Sequence, residues 1–145
     1  MKKEKNPGDI EIILVKDWPA EDIIKLYKAG GWIDGSENEA LIKKIISGSY
    51  AFAVAVDEET GKAVGMGRVL SDGVSDAYIQ DVVILPEYRK LGTGKKIIQA
   101  LRDHCIRNKI NWVALVAEEG TQDFYFGLGF KAMKGHTPMK YETKK

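Results

Sequence analysis

The feature that most constrains the fold is an apolar run that ends at a proline and leads into a basic, glycine-punctuated turn. Residues 77–85 have the composition of a buried strand, and Pro86 ends its hydrogen bonding. Gly92 and Gly94 punctuate the turn. The residues after it carry apolar side chains at helical spacing: Ile97, Ile98, Leu101 and Cys105. The sequence therefore predicts a strand, a tight turn and a helix in immediate succession.

The remaining segments predict a mixed fold. Ser36 and Glu39 have the spacing of a capping box for a second helix, and Gly30 ends the first helix. A strand–helix–strand crossover makes the strands on either side of the glycine turn parallel neighbours, whereas the preceding strands form an antiparallel meander. The expected strands are 10–15, 50–56, 63–70, 77–85 and 111–117, with two weaker ones near 130–133 and 139–142. The predicted fold class is α/β (α+β), with a mixed, mostly antiparallel central sheet of six to seven strands flanked by about four helices.

Length and composition limit the class of protein. A chain of 145 residues fits one domain, predicted over residues 10–145 after a flexible N-terminal tail at 1–9. A net charge of +1 gives no reason to expect a nucleic acid or membrane partner, and no apolar run approaches the ~18 residues that span a bilayer. The single cysteine, Cys105, and the charged N-terminus fit a cytoplasmic protein. No His, Cys and carboxylate cluster has metal-ligand spacing, so no metal site is expected.

The glycine turn has the properties of an anion site. The start of a helix leaves about four backbone N–H groups without partners, and the helix dipole favours negative charge there. Glycines let the backbone approach a ligand, while Arg89, Lys90 and Lys95 add positive charge and Thr93 a hydroxyl. The alternative is that the glycines only shape the turn and that the lysines are solvated.

Two motifs in this order resemble the GCN5-related N-acetyltransferase (GNAT) family. Its signature, Gln/Arg-x-x-Gly-x-Gly/Ala, is matched by residues 89–94, RKLGTG, and its second marker by residues 124–130, FYFGLGF. The resemblance covers about residues 10–142. It implies an acyl-CoA N-acyltransferase fold, whose fourth and fifth strands splay apart, and an activity that transfers an acetyl group from acetyl-CoA to an amine.

The resemblance also implies which residues bind the coenzyme. Backbone N–H groups of the glycine turn would cradle its pyrophosphate, and main-chain groups of the fourth strand would pair with the pantetheine arm. Phe124 and Glu118 are further positions near the coenzyme, although many relatives carry asparagine where this chain has Glu118. The expected cofactor-binding residues are Val82, Val83, Ile84, Arg89, Lys90, Leu91, Gly92, Thr93, Gly94, Lys95, Glu118 and Phe124.

Tyr125 matches the family tyrosine that protonates the departing thiolate. The alternative is a tyrosine that only packs beside Phe124 and Phe126. Asp81 is the candidate general base, with Glu118 as a second one and a hydrogen-bonded structural role for Asp81 as the alternative. Strand alternation complicates this assignment, because it separates Asp81 from the substrate-facing side unless a bulge intervenes. Alternation places Tyr78, Gln80 and Val82 on one face and Ile79, Asp81 and Val83 on the other.

The acceptor side is less constrained by the sequence. Trp32 with Tyr27 would form an apolar wall, and Tyr78, Gln80 and His136 are further candidate substrate contacts. A loop histidine is more often merely solvated, and the segment around Trp32 also reads as a turn that caps the second helix. Small amines, polyamines, aminoglycosides, amino acids and peptide amines all remain open as acceptors.

The expected mechanism is direct transfer in a ternary complex, because Cys105 lies on the apolar stripe and reads as buried rather than as a nucleophile. A non-catalytic CoA-binding sensor or interaction module of the same fold is the alternative from another class. A nucleotide-binding protein that uses the same turn is a third. Dimers are common among relatives, which makes a homodimer the assembly to test.

Overall fold

A computed structural model describes residues 5–34 and 36–143. These residues divide into two compact units, an N-terminal unit that ends at Leu115 and a C-terminal unit that begins at Val116. A single domain over residues 10–145 therefore stays a prediction. The N-terminal unit contains β1 (Ile10–Leu14), α1 (Ala20–Ala29), α2 (Glu39–Gly48), β2 (Ala51–Asp57), β3 (Lys62–Ser71), β4 (Asp76–Ile84), α3 (Thr93–Arg107) and β5 (Trp112–Leu115), and the C-terminal unit contains α4 (Gln122–Phe126).

The five strands form one mixed sheet in the order β1-β2-β3-β4-β5. The first four strands pair antiparallel with their neighbours, and β5 pairs parallel to β4 after the crossover through α3. The predicted meander and the predicted parallel pair are both confirmed. The helix between them begins at Thr93, inside the glycine turn, and ends at Arg107, where Asn108 begins the tight connection to β5.

Helices α1 and α3 cover opposite faces of the sheet. A side chain added at Gly67 of β3 would meet Ile97 and Leu101 of α3, so Gly67 faces that helix. Its neighbour Arg68 points to the other face, because successive residues of a strand alternate. The predicted apolar stripe of α3 is confirmed, since Ile97, Ile98, Leu101 and Cys105 are buried.

The prediction of six to seven strands is wrong for the described residues, which form five. The two segments expected near 130–133 and 139–142 have no strand assignment. Their side chains are largely exposed, Met139 and Tyr141 among them, and Pro138 removes one backbone donor between them. Without a neighbouring strand to pair with, a weakly apolar segment gains too little to become one.

One local expectation also differs from the structure, and the flexible tail expected at 1–9 stays a prediction. Asn38, not Ser36, caps α2, because its side-chain oxygen accepts the backbone N–H of Leu41 at 2.9 Å. In the predicted tail, residues 5–9 include a 3₁₀ turn at Pro7–Asp9, and Lys5 forms ion pairs with Asp57 and Glu59. Residues 1–4 of that tail lie outside the described residues. No described helix is both long enough and apolar enough to cross a membrane.

Candidate active site

The glycine turn connects β4 to α3 through a strained backbone. After a 3₁₀ turn at Pro86–Tyr88, Lys90 has φ of 67° and Gly92 has φ of 78°. The left-handed region suits glycine, but at a lysine it costs about 1 kcal/mol or more. Left-handed residues in such a turn can direct neighbouring backbone N–H groups to one side, as they do in anion-binding concavities.

The donors of this turn have no hydrogen-bond partner among the described residues. The backbone N–H groups of Lys90 to Lys95 form no hydrogen bond with any described residue, and the first such bond of the helix is Lys96 N–H to the Gly92 carbonyl. Thr93 is only 3% exposed, yet its hydroxyl Oγ1 also lacks a partner among the described residues. Because buried polar groups are normally paired, this hydroxyl and these amides fit a bound anion.

The charged side chains around the turn and the open space at Gly92 also fit a bound anion. Lys90 and Lys95 are exposed, and Gly92 has open space where a side chain would stand. Arg89 is anchored, since its Nε donates to the Ile84 carbonyl at 3.1 Å. The turn therefore combines free backbone donors with three nearby cations.

An open strand edge lies beside the turn. Strand β5 pairs with β4 only from Asp76 opposite Trp112 to Ile79 opposite Leu115. Residues 80–84 of β4, which include Val82, Val83 and Ile84, have no strand neighbour on that side among the described residues. This arrangement agrees with the splayed strands that the resemblance implies, and it leaves main-chain groups available for an extended ligand.

A one-residue bulge in β4 corrects the predicted alternation. Arg68 stands opposite Gln80 and Met66 opposite Val83, so Gly67 alone faces both Asp81 and Val82. Asp81 has φ of 58°, a left-handed conformation inside a strand. The bulge gives Asp81 the same face as Gln80, and it gives Val82 the α3 face, where it lies near Gly67. The bulge that the sequence analysis named as the exception to strand alternation is therefore present, and Asp81 shares the face of Gln80.

Asp81 is held by two donors on that face. Its Oδ2 accepts from Arg68 Nε at 2.6 Å and from the hydroxyl of Tyr27 at 2.7 Å. Burial, followed by the hydrogen bond and charge of Asp81, raises the pKa of Tyr27, so the phenol keeps its proton. Sequence reasoning missed Arg68, although a lone arginine within an apolar strand was the available signal. The other carboxylate oxygen, Oδ1, has no hydrogen bond to the described residues.

Two pairs of aromatic side chains include a residue connected with Asp81: Tyr27 donates to its carboxylate, and Tyr78 belongs to the same strand. The rings of Tyr27 and Trp32 meet edge to face at 5.8 Å, so the predicted pair does come together, and Trp32 is partly exposed. Tyr78 forms a similar edge contact with Trp112 at 5.3 Å and, like Gln80, is exposed. Trp112 was not among the predicted site residues.

The C-terminal unit carries the candidate proton donor. The Tyr125 ring has edge contacts with Phe124 at 5.0 Å and Phe130 at 5.9 Å. Its hydroxyl forms no hydrogen bond with a described residue, and burial together with the charge of Glu118 raises its pKa. A phenol in this state is neutral at physiological pH and has a proton to give.

Other predicted residues of the C-terminal unit have local roles. The Glu118 carbonyl accepts from the backbone N–H and the hydroxyl of Thr121, which shapes the turn before α4. His136 is exposed, and its Nδ1 lies 3.0 Å from the Lys134 carbonyl in its own loop. Within the described residues, no group of three or more His, Cys, Asp and Glu side chains is placed to hold a metal ion.

Comparisons with known proteins give one consistent result. The family described as Acetyltransferase (GNAT) domain matches residues 26–141. GCN5-related N-acetyltransferase 2, chloroplastic, of Arabidopsis thaliana is 29% identical over 117 residues, which are 79% of this chain and 45% of that protein. The uncharacterized N-acetyltransferase ycf52 of Pyropia yezoensis is 30% identical over 84% of this chain and 70% of its own length.

A solved structure agrees with the sequence comparisons. A GNAT family acetyltransferase from Streptococcus pneumoniae superposes with a TM-score of 0.74 at 26% identity, covering 94% of this chain and 99% of that one. This chain thus spans less than half of the Arabidopsis relative but nearly all of the bacterial one. The matched region includes the glycine turn, the bulged strand and Tyr125. The chain belongs to the GCN5-related N-acetyltransferase family.

Proposed function

We propose that the protein is an N-acetyltransferase that moves an acetyl group from acetyl-CoA to a primary amine by direct transfer in a ternary complex. The observation that carries the proposal is the glycine turn, where the backbone N–H groups of Lys90 to Lys95 have no partner among the described residues. Because these donors lie at the start of a 15-residue helix, they fit a phosphate ester.

The residues present fit acetyl-CoA. Leu91 to Lys95 would hold the pyrophosphate through backbone amides, with Arg89 and Lys90 supplying charge. The open edge of β4 at Val82, Val83 and Ile84 would pair with the pantetheine amides. When bound, the coenzyme supplies an activated thioester carbonyl and a thiolate leaving group.

Asp81 is the proposed contact for the acceptor amine. Arg68 and Tyr27 occupy Oδ2, so Oδ1 remains to accept a hydrogen bond from an ammonium group or a proton as the amine becomes nucleophilic. The left-handed backbone of Asp81 supports this role, because such strain persists in folded proteins where the surroundings enforce it, often at functional sites. Glu118 is the second candidate base.

Tyr125 is the proposed general acid. Its raised pKa keeps the phenol protonated, so it can donate to the departing sulfur atom. Phe124 packs against its ring and would help to fix it. A covalent acetyl-enzyme is not part of the proposal, since the only cysteine, Cys105, is buried in α3 and burial raises its pKa.

The acceptor would be a small-molecule or peptide amine. Trp32 with Tyr27 offers an aromatic wall, and Tyr78, Gln80 and His136 are proposed as further contacts. Other relatives bear the names histone acetyltransferase and serotonin N-acetyltransferase, which suggests lysine peptides and arylalkylamines as first probes. A cytoplasmic setting and a homodimer are part of the proposal, and three of the relatives are named as chloroplast proteins.

The test is release of free thiol from acetyl-CoA in the presence of a panel of amines that includes a lysine peptide, serotonin, spermidine and an aminoglycoside. Acetylated product identified by mass spectrometry, with a melting shift for acetyl-CoA, supports the proposal. A melting shift without thiol release for any amine supports the non-catalytic CoA-binding module instead. Stabilisation by ATP and not by CoA would contradict both the N-acetyltransferase and the CoA-binding module.

A further inference from the structure

The carboxylate of Asp57 is not one of the groups that the proposed chemistry uses, yet it is fully buried at 0% exposure. It accepts the hydroxyl of Tyr88 at 2.7 Å, the backbone N–H of Glu59 at 3.0 Å and the ammonium of Lys5 at 3.1 Å. Burial alone raises the pKa of Asp57, but the bonds from Tyr88, Lys5 and Glu59 outweigh it and hold that pKa below its usual range. Each donor comes from a different segment of the N-terminal unit.

The donor that matters for function is Tyr88, because it immediately precedes the glycine turn. It is the last residue of the 3₁₀ turn Pro86–Tyr88, and Arg89 follows it with a second tether to the Ile84 carbonyl. The consecutive side chains of Tyr88 and Arg89 thus each form a hydrogen bond with a residue of the sheet. Asp57 ends β2, and Ile84 ends β4, so both anchors belong to the sheet.

The turn needs such anchors. Lys90 is a non-glycine residue at φ of 67°, and its own N–H and those of the next five residues have no partner among the described residues. A strained segment without internal hydrogen bonds keeps its shape only if the surrounding structure holds its ends. The sheet supplies that support at Tyr88 and Arg89.

We propose that Asp57 and Tyr88 are positioning residues that pre-form the diphosphate cradle. This inference rests on the proposed function and deepens it. The bond from Tyr88 to Asp57 holds the start of the turn so that the amides of residues 90–95 already point toward one anion. The coenzyme then binds without the cost of ordering the loop.

The test compares coenzyme A with pantetheine, which has the same arm but lacks the diphosphate and the 3′-phosphoadenosine attached to it. Dissociation constants for coenzyme A and for pantetheine are measured by NMR chemical-shift titration for the wild type, Tyr88→Phe and the matched control Tyr50→Phe. Tyr50 belongs to the same unit, and its ring contacts His104 rather than the turn. We expect Tyr88→Phe to raise the Kd for coenzyme A about tenfold and to leave the Kd for pantetheine within about twofold, because only the diphosphate uses the cradle.

Each outcome has one meaning. A Tyr88→Phe variant that loses affinity for both ligands equally would show a general structural role, and one that loses none would show no role; both overturn the inference. If Tyr88→Phe does not fold by circular dichroism, Asp57→Asn at neutral pH gives the same comparison. Failure of the wild type to bind coenzyme A would instead overturn the proposed function.

Discussion

The guanidinium of Arg68 and the carboxylate of Asp81 form an ion pair on neighbouring strands, with Nε and Oδ2 separated by 2.6 Å. Both side chains are mostly buried, at 17% and 21% exposure, so water screens the pair only in part. The pair exists because the bulge in β4 turns Asp81 onto the face where Arg68 stands. The extra residue at the bulge therefore places the carboxylate of Asp81 on the same face as Arg68, where both belong to the candidate site.

Asp81→Asn should impair both stability and turnover. The amide leaves the guanidinium of Arg68 without its counter-charge, which we expect to lower the free energy of unfolding by about 1–3 kcal/mol. If Asp81 contacts the amine, kcat/KM for the acceptor should fall more than tenfold, while the Kd for coenzyme A changes little. Urea unfolding and steady-state kinetics measure the two effects.

A surface ion pair provides the control for Asp81→Asn. Asp17 pairs with Lys43 at 2.7 Å, but its side chain is 74% exposed. Asp17→Asn should therefore leave both the stability and the kinetics close to those of the wild type. Full acceptor turnover in Asp81→Asn, once its folding is verified, would restrict Asp81 to a structural role.

Gly92→Ala should weaken coenzyme binding through the backbone. Alanine at φ of 78° costs roughly 1–2 kcal/mol, although no atom stands in its way. Relief of that strain would rotate the donors of the turn, so we expect a Kd for coenzyme A at least about tenfold higher. Calorimetry gives the Kd, and denaturant unfolding gives the stability.

Gly61→Ala is the matched variant for Gly92→Ala. Gly61 has φ of 71° and equally open surroundings, but it lies in the hairpin between β2 and β3. Both variants should lose similar stability, and only Gly92→Ala should lose affinity for coenzyme A. Equal loss of affinity in the two would show that destabilisation alone explains the effect.

Tyr125→Phe should lower kcat by at least about tenfold and leave the Kd for coenzyme A unchanged, because it removes one proton donor and little packing. The raised pKa of Tyr125 also predicts that the wild type keeps this donor protonated at pH values where an ordinary tyrosine ionises. The pH profile of kcat tests this directly. Tyr141→Phe, at an 85% exposed position of the same unit, should match the wild type; a Tyr125→Phe enzyme that does so too would refute the acid role.

Acid should destabilise the protein partly through Asp57. Its folded-state pKa is depressed, so the unfolded chain takes up protons at a higher pH than the folded one. The stabilising contribution is therefore complete above pH about 4, near the ordinary pKa of a carboxyl group, and is lost as the pH falls through the lower folded value. Asp57→Asn should lower the melting temperature at pH 7 and flatten its decline below pH 4.

Melting curves between pH 7 and pH 2 check that expectation. Glu119→Gln, a change at an exposed position, should leave the decline as steep as in the wild type. An unchanged decline in Asp57→Asn would mean that other carboxyl groups dominate acid unfolding.

The sequence alone determined the elements with strong local signals. Apolar periodicity located α3, and the Pro86 and Gly92 pattern located the turn before it, because proline and glycine act on the backbone at their own positions. The two family motifs then identified the candidate coenzyme residues. The prediction of weak strands near 130–133 and 139–142 was wrong, because a strand needs a neighbouring strand to pair with and the periodicity of one segment does not reveal whether it has one.

Tertiary structure decided which side chains meet. Strand alternation placed Asp81 on one face, and the bulge opposite Gly67 moved it to the other, where Arg68 and Tyr27 bind it. The bond between Asp57 and Tyr88 joins residues that are 31 positions apart. No local pattern encodes such pairs, because a register shift and a long-range hydrogen bond depend on the whole packed sheet and not on the residues that adjoin them in the chain.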